Sequence, residues 1–426
     1  MRRVAITGIG VVAPNGIGRQ AFWNNCVSGV SGIGPIRSFD ATKHPIRIAG
    51  EIHDFDPAPL LPADVRKHAK LMARAARFGL GAAALAVNDS GLDFTREDPE
   101  RLGVAMGTGV VPVDLSELAP MLARACHDDG FDATRLPNPD GNGMFPLWLL
   151  KHLPNMTAAH ISLAFNCQGP NTTLVTACVA GTQAVGEGFR MIARDEADVV
   201  LAGGADSRID PLMLLAYTAL GTLSKSDRPA AESSRPFDRL RDGFVISEGA
   251  AVLVLEELER AKARGAEIFA EVTGFGSSFD AYSVTKPDPD GRGGARAIKL
   301  ALNEAGVNAD DIGYINAHGT STRLNDQMET AAVKRVFGDH ARRVKLSSIK
   351  SMIGHSIGAA GAIEAAALAL SLKHHVLPPT INLTHPDPAC DLDYVPNSAQ
   401  DGRPRVGLST SFGFGGQNGA LVMQAA

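Results

Sequence analysis

Residues 171–200 read NTTLVTACVAGTQAVGEGFRMIARDEADVV, and this stretch decides how the chain folds. Thr172–Ala177 is an extended lead-in, and Val179–Arg194 then turns helical, with Val185, Phe189 and Ile192 near one face. Cys178 sits at the turn between them. Further along, KSMIGHSIGAAGAIE from Lys350 repeats the small-residue helix entry of TACVAGTQAVGEG from Thr176. Other pairs follow in the same order. AITGIGVVAP from Ala5 is echoed by AEVTGFGSSFD from Ala270, and RLGVAMGTGV from Arg101 by IGYINAHGTST from Ile312. RDGFVISEGAAVLVL from Arg241 is echoed by FGFGGQNGALVM from Phe412. Echoes in a shared order favour two pseudo-equivalent halves, 1–260 and 261–426, forming one compact unit. No low-complexity linker parts them, and Ser224–Arg235 reads as a polar loop.

Short apolar runs alternate with helical patterns on either side of this stretch. Val4–Ile6, Leu102–Met106, Val199–Ala202, Val252–Leu255, Ile312–Ile315 and Leu421–Met423 read as buried strands. Phe78–Val87 stops near Gly91 and Ala295–Glu304 at Gly306, while Thr330–Phe337 and Ala359–Lys373 are further helices. The alternation makes this an α/β protein with covered sheets.

The 426 residues carry 45% hydrophobic and 20% charged side chains, ordinary for a globular protein. A net charge of −5 argues against wholesale nucleic-acid binding. Arg66, Lys67, Lys70, Arg74 and Arg77 recur at helical spacing, either a solvated face or a docking face for an acidic partner. The five cysteines lack CxxC spacing, so neither a disulfide framework nor a zinc site is indicated, and a reducing cytoplasm fits best. No apolar run has the length to cross a bilayer. The start, Met1-Arg2-Arg3 before Val4–Gly8, is too short and too glycine-broken for a signal peptide and reads as a first strand. GIGVVAP departs from GxGxxG and has no acidic ribose partner, so no nucleotide site is expected there.

A thiol at a helix start faces unpaired N–H groups and the helix dipole, which should lower its pKa. Ala177, Ala180 and Gly181 leave room for a substrate, as a strained nucleophile elbow requires. The bland alternative, a buried structural cysteine, fits Cys167 better, since no helix follows it. His318 follows a strand in a turn that Gly319 makes permissive. Lys350 and His355 precede a long alanine-rich helix, so both halves deliver titratable groups at strand ends or helix entries. A Cys-His hydrolase would need one base and a water path. Two histidines fit better with holding a thioester carbonyl while an enolate forms, although residue types alone do not separate the two. A metal site is the weaker reading, because no carboxylate or third histidine stands at ligand spacing. Near the C-terminus Gly413, Gly415 and Gly416 bracket Phe412 and Phe414 in a segment expected not to form a regular strand. It could bring a backbone N–H to a reacting oxygen and an aromatic gate to the entrance.

Together TACVAG, NAHGTST, KSMIGH, GAAGAIE and SFGFGGQNG resemble the β-ketoacyl-acyl-carrier-protein synthases. The match is closest to elongating synthase II and the ketosynthases of type II polyketide systems, and it runs from Val4 to Met423. The resemblance implies a thiolase-like fold of two pseudo-equivalent halves in five α-β-α-β-α layers. It implies Cys178, His318 and His355 as the catalytic set, with Lys350 beside them and Glu364 as the lysine's partner. Thr320 and Thr322 match residues that contact the phosphopantetheine arm, and Phe414 matches a gate. Phe412 and Val110 fall on the substrate-binding side, and the backbone amides of Cys178 and Phe414 would form the oxyanion hole. The implied reaction is a decarboxylative Claisen condensation with malonyl carrier protein. No metal or diffusible cofactor is implied, because substrates arrive on the phosphopantetheine of an acyl carrier protein.

The segment from Gly109 to Leu150 departs from the housekeeping elongation enzyme. Val110, Val111 and Pro112 fall near the acyl-pocket floor of relatives, and Met144–Leu149 falls at their dimer interface. Primary fatty-acid elongation and a polyketide or polyene role both stay open. A homodimer is expected, with a heterodimer with a chain-length-factor homologue as the alternative. Such partners lack the active cysteine, which this chain keeps, and thiolases use a second cysteine as base where this chain has two histidines.

Overall fold

The computed structural model describes residues 2–128, 130–136 and 147–426. The main sheet is built from β1 (Val4–Ala13), β2 (Leu102–Gly107), β3 (Asn171–Leu174), β4 (Val199–Asp206), β5 (Gly249–Glu257), β6 (Ala270–Phe279), β7 (Ile312–Asn316), β8 (Lys345–Ser347), β9 (Val406–Gly413) and β10 (Gln417–Gln424). They follow one hydrogen-bonded path, β8-β7-β9-β10-β6-β1-β5-β4-β2-β3. Outward from the centre, β1-β5-β4-β2-β3 and β6-β10-β9-β7-β8 repeat one pattern of two antiparallel and then two parallel neighbours. Within the sheet, among the described residues, the halves join where Val4, Ala5 and Ile6 of β1 pair with Val272, Glu271 and Ala270 of β6.

The principal helices are α1 (Arg74–Ser90), α2 (Ala180–Ala193), α3 (Arg292–Ala305), α4 (Arg323–Phe337) and α5 (Ala360–His374). Helix α1 packs on β1, β5 and β4, whereas α3 packs on β6 and β10 with α4 against it. Helices α2 and α5 pack on each other and touch strands of both halves. The result is helices, half-sheet, paired helices, half-sheet, helices, which is the five-layer α/β arrangement implied by the resemblance.

The echoes have packing causes. A Cβ on Gly10 would lie 1.9 Å from the Ala82 carbonyl oxygen of α1, and one on Gly276 would lie 2.0 Å from that of Ala297 on α3. TGIG and TGFG therefore let each outer helix lie directly on the first strand of its half. In the middle layer α5 is buried continuously from Ala360 to Leu372, so its apolar residues run all round rather than along one stripe. The two middle helices meet at glycines. A Cβ on Gly361 would approach Thr182 Oγ1 to 2.0 Å, and one on Gly181 would approach the Ala362 nitrogen to 2.7 Å.

Two expectations need correction. The basic segment is not one helical face: a short helix at Ala63–Arg66 passes into a 3₁₀ stretch, Lys67–Leu71, before α1 begins. Arg74 turns inward, donating to Glu248 Oε1 at 2.6 Å and to the Ile52 carbonyl at 2.6 Å. The buried Glu248 needs that cation, so Arg74 is not free for a partner. The side chain of Lys70 lies outside the described residues, as do Met144–Pro146 of the segment expected at a dimer interface. The C-terminal glycine segment is strand through Gly413, and only Phe414–Gly416 breaks it as the turn of the β9–β10 hairpin. Gly415 and Gly416 supply the left-handed turn at φ 85° and 91°.

Candidate active site

The nucleophile candidate is set by local strain. After β3 the chain passes Thr176 and enters Ala177 at φ 51°, a left-handed conformation costing a non-glycine residue about 1–3 kcal/mol. Cys178 follows within a single 3₁₀ turn, Ala177–Val179, and α2 begins at Ala180. The second half repeats this elbow at Ile357, with φ 44° and a 3₁₀ turn Ile357–Ala359 before α5. Gly358 thus stands where Cys178 stands in the first half. One elbow carries a sulfur, the other only backbone.

The histidines come from the second half. His318 leaves β7 with its N–H donating to Glu329 Oε1 at 2.7 Å, and the Gly319 N–H donates to Glu329 Oε2 at 2.8 Å. The His355 backbone is clamped by the Val245 carbonyl and the Ser247 N–H. Its Nε2 lies 3.1 Å from Cys178 Sγ. The two imidazoles meet edge to face at 5.3 Å, and the thiol and both rings bring ligand-type atoms within 4.8 Å of one another. Among the described residues this is the one Cys/His/carboxylate group close enough to hold a metal ion, and it contains no carboxylate. Lys350 Nζ donates to the His318 carbonyl at 2.7 Å, touches Glu364 Oε1 and lies 3.2 Å from His318 Nδ1. An ammonium has only donors, so His318 Nδ1 accepts and the ring proton sits on Nε2.

Burial governs the electrostatics. It pushes the Cys178 thiol up to about 11, while Lys350, Arg208 and a hydrogen bond from the Phe414 backbone pull it back. This corrects the expectation of a lowered pKa: in a site 3% exposed, desolvation of the thiolate outweighs what the helix start supplies. Burial, then the charge of Lys350, holds His318 and His355 well below the usual imidazole range, so both rings are neutral. Burial likewise draws Lys350 down to about 7 against the charges of Glu329, Cys178 and Asp326, and the touching Glu364 carboxylate favours the ammonium.

A cavity of about 720 Å³ opens from these groups to the surface. Cys178, His318 and His355 line its inner end, with Phe412, Thr320, Thr322 and Phe414 also on its walls. The two threonine hydroxyls are 3.0 Å apart, and Phe412 stands edge-on to His318 at 5.9 Å. Val110 is not brought to this cavity: it is 57% exposed on the surface of the chain. Several participants escape the sequence reading. Asp326 accepts the Thr320 N–H, Arg241 binds Asp326, and Glu329 holds the His318 turn. The spacing of Asp326 and Glu329, three apart on the face that also buries Thr330 and Val333, was the available signal. Arg208, beside Asp206, left no such pattern.

Comparisons with known proteins agree along the whole chain. Residues 1–261 match the family model for beta-ketoacyl synthase, N-terminal domain, and residues 269–384 that for beta-ketoacyl synthase, C-terminal domain. The chain is 42% identical over 423 residues to 3-oxoacyl-[acyl-carrier-protein] synthase 2 of Coxiella burnetii, covering 99% of this chain and 98% of that one. It is 40% identical to the protein of the same name from Synechocystis, with the same coverage. Among solved structures, the ishigamide ketosynthase/chain length factor matches with TM-score 0.87 at 36% identity, over 100% of this chain and 99% of that one. A ketosynthase bound to the hexaketide and to its type II acyl-carrier protein matches with TM-score 0.85 at 34% identity, with the same coverage. The chain belongs to the beta-ketoacyl synthase family.

Proposed function

We propose that this protein is a β-ketoacyl-acyl-carrier-protein synthase, which extends an acyl thioester by decarboxylative condensation with a malonyl thioester. The observation that carries this reading is Cys178 Sγ at 3.1 Å from His355 Nε2, with the second neutral imidazole edge-on to the first. His355 takes the thiol proton as the sulfur attacks the carrier-bound acyl group, and returns it to the departing pantetheine thiolate. The acyl chain is then held on Cys178 as a thioester. The oxyanion of each tetrahedral intermediate is held by the backbone N–H groups of Cys178 and Phe414; one such donor is typically worth about 10²–10³ in rate. Malonyl thioester loses its carboxylate as CO₂, and the enolate oxygen accepts from His318 Nε2–H, with His355 as the second donor once its own ring proton has moved from Nδ1 to Nε2. The enolate carbon attacks the Cys178 thioester, the new carbon–carbon bond forms and the sulfur leaves as thiolate.

Lys350 is a positioning residue in this scheme, holding His318 in the tautomer that donates from Nε2. Thr320 and Thr322 offer hydroxyls to the amides of the phosphopantetheine arm. Phe412 and Phe414 wall the entrance, with Phe414 able to move at the glycine turn. The delivering partner is an acyl carrier protein, a reading supported by the ketosynthase neighbour solved in complex with its own acyl-carrier protein. The outer edge of β3 has no strand partner among the described residues, and Leu149, Leu163 and Val175 are exposed. An unpaired edge with apolar surroundings supports a second copy of the chain as the occupant.

Incubation with an acyl carrier thioester and malonyl carrier protein tests the reading. The expected outcome is a mass increase on Cys178 and a product two carbons longer, with both lost in Cys178→Ala. Undiminished condensation by that variant sinks the assignment.

A further inference from the structure

We propose that Arg241 is a positioning residue for the thioester's arm, holding the Thr320–Thr322 turn so that its two threonine hydroxyls meet the arm's amides. The inference rests on the condensing reading above and adds a residue to its arm-binding wall.

The turn does not keep its shape unaided. Gly319 sits at φ 32° and Ser321 at φ 68°, so a residue with a side chain is held left-handed between the two threonines. Such a conformation is strained and persists only where the surroundings over-determine it. The Arg235 N–H donates to Ser321 Oγ at 3.0 Å, and the Gly243 N–H donates to the Ser321 carbonyl at 3.2 Å. Those bonds fix the middle of the turn. Its two ends are left to Arg241.

The Arg241 side chain has no solvent contact. Its Nε donates to the Thr322 carbonyl at 3.2 Å and lies 3.1 Å from Asp326 Oδ2, while Nη2 donates to the Arg323 carbonyl at 3.3 Å. Asp326 Oδ1 accepts the Thr320 N–H at 3.1 Å. One guanidinium thus ties down both threonines, Thr322 directly and Thr320 through Asp326. The guanidinium is itself anchored outside the turn. Nη1 donates to the Asp238 carbonyl at 2.8 Å and to Asp387 Oδ2 at 2.7 Å, and Nη2 lies 3.8 Å from Cys390 Sγ. Arginine has five N–H donors. All of them are engaged, with Thr322 and Asp326 sharing Nε–H.

Arg241, Thr320 and Thr322 belong to one wall of the cavity that ends at Cys178. With every donor committed, Arg241 has none to offer a substrate and acts through the hydroxyls in front of it. The chemistry is fixed separately, because the His318 and Gly319 N–H groups bind Glu329. Loss of Arg241 therefore weakens recognition of the arm more than it slows bond making. Lysine keeps the charge beside Asp326 but gathers its donors on one atom, which cannot span these acceptors.

The test is acylation of Cys178 in the full chain by two hexanoyl thioesters, one of pantetheine with its amides and one of ethanethiol with none. Adduct formation is followed by intact-protein mass spectrometry across thioester concentration. Arg241→Lys and Arg241→Met should raise the half-saturating concentration of hexanoyl pantetheine about tenfold, the scale of one or two hydrogen bonds. The rate at saturation, and the rate with the ethyl thioester, should stay within about twofold of the parent. In a Thr320→Val/Thr322→Val background, Arg241→Lys should add less than about twofold, because the hydroxyls it positions are gone. Should Arg241→Met fail to fold, Arg241→Lys and Asp387→Asn, which loosens the outer anchor, decide. Equal losses on both thioesters, a fully additive loss in the valine background, or an unchanged half-saturating concentration each overturn the inference. So does a parent that handles the two thioesters alike. All of these leave the condensing reading standing, whereas a parent acylated by neither thioester overturns that reading itself.

Discussion

Lys350 and Glu364 are a buried ion pair behind His318, each almost without solvent contact. Removing one partner of such a pair typically costs about 3–5 kcal/mol, because the other charge is left uncompensated. Lys350→Met should therefore lower unfolding stability by about that amount, and Lys350→Met with Glu364→Gln should recover most of it. Neither should restore malonyl decarboxylation, since His318 loses the donor that fixes its tautomer. A single variant within about 1 kcal/mol of the parent in urea unfolding contradicts this account. Glu329 gives a pH signature. Burial raises its carboxyl to about 7 from an ordinary 4.5, so the folded state holds its proton more tightly than the unfolded chain. Its stabilising contribution is complete below about pH 4.5 and is lost as pH rises to about 7. The stability of the parent minus that of Glu329→Gln should fall across that window and level off above it. A difference that stays flat from pH 4.5 to 7 by denaturant midpoint would exclude a protonated Glu329.

At the scale of elements, the site depends on two helices meeting at glycines. The elbows at Ala177 and Ile357 start α2 and α5, and Gly181 and Gly361 let those helices approach until backbone touches backbone. Gly361→Ala must push Thr182 away, and overpacking of this kind costs about 1–3 kcal/mol. Because α2 carries the Cys178 elbow, the same variant should slow acylation more than it changes thioester affinity. That would appear as a lower kcat with little change in KM, together with a lower denaturant midpoint. Parental stability and kcat would show that the contact has slack. These glycines are visible in the sequence as small residues after each helix entry. What they face is not, because Gly361 meets Thr182 and Gly181 meets Ala362, residues far apart along the chain.

For the whole molecule, the outer edge of β3, which has no strand partner among the described residues, is where a second chain is expected. Sedimentation equilibrium of the purified protein should give twice the chain mass of 44.6 kDa, and added salt should not dissociate an apolar interface. A monomer at micromolar concentration would favour a second, different subunit on that edge. Among the described residues no helix is long and apolar enough to cross a membrane.

The sequence by itself determined the repeat, the alternation of strands and helices, and the place of Cys178, His318, Lys350 and His355 at strand ends or helix entries. Those are local properties: glycines where a helix must lie on a strand, a small-residue entry before each middle helix, and titratable groups at strand ends. Tertiary structure decided the rest. It placed Val110 on the surface, turned Arg74 toward Glu248 and set Glu329 and Asp326 behind the turn that carries His318 and Thr320. It also reversed the expected direction of the Cys178 pKa. A helix start is written in adjacent residues, but the desolvation that outweighs it comes from both halves of the chain closing over the sulfur.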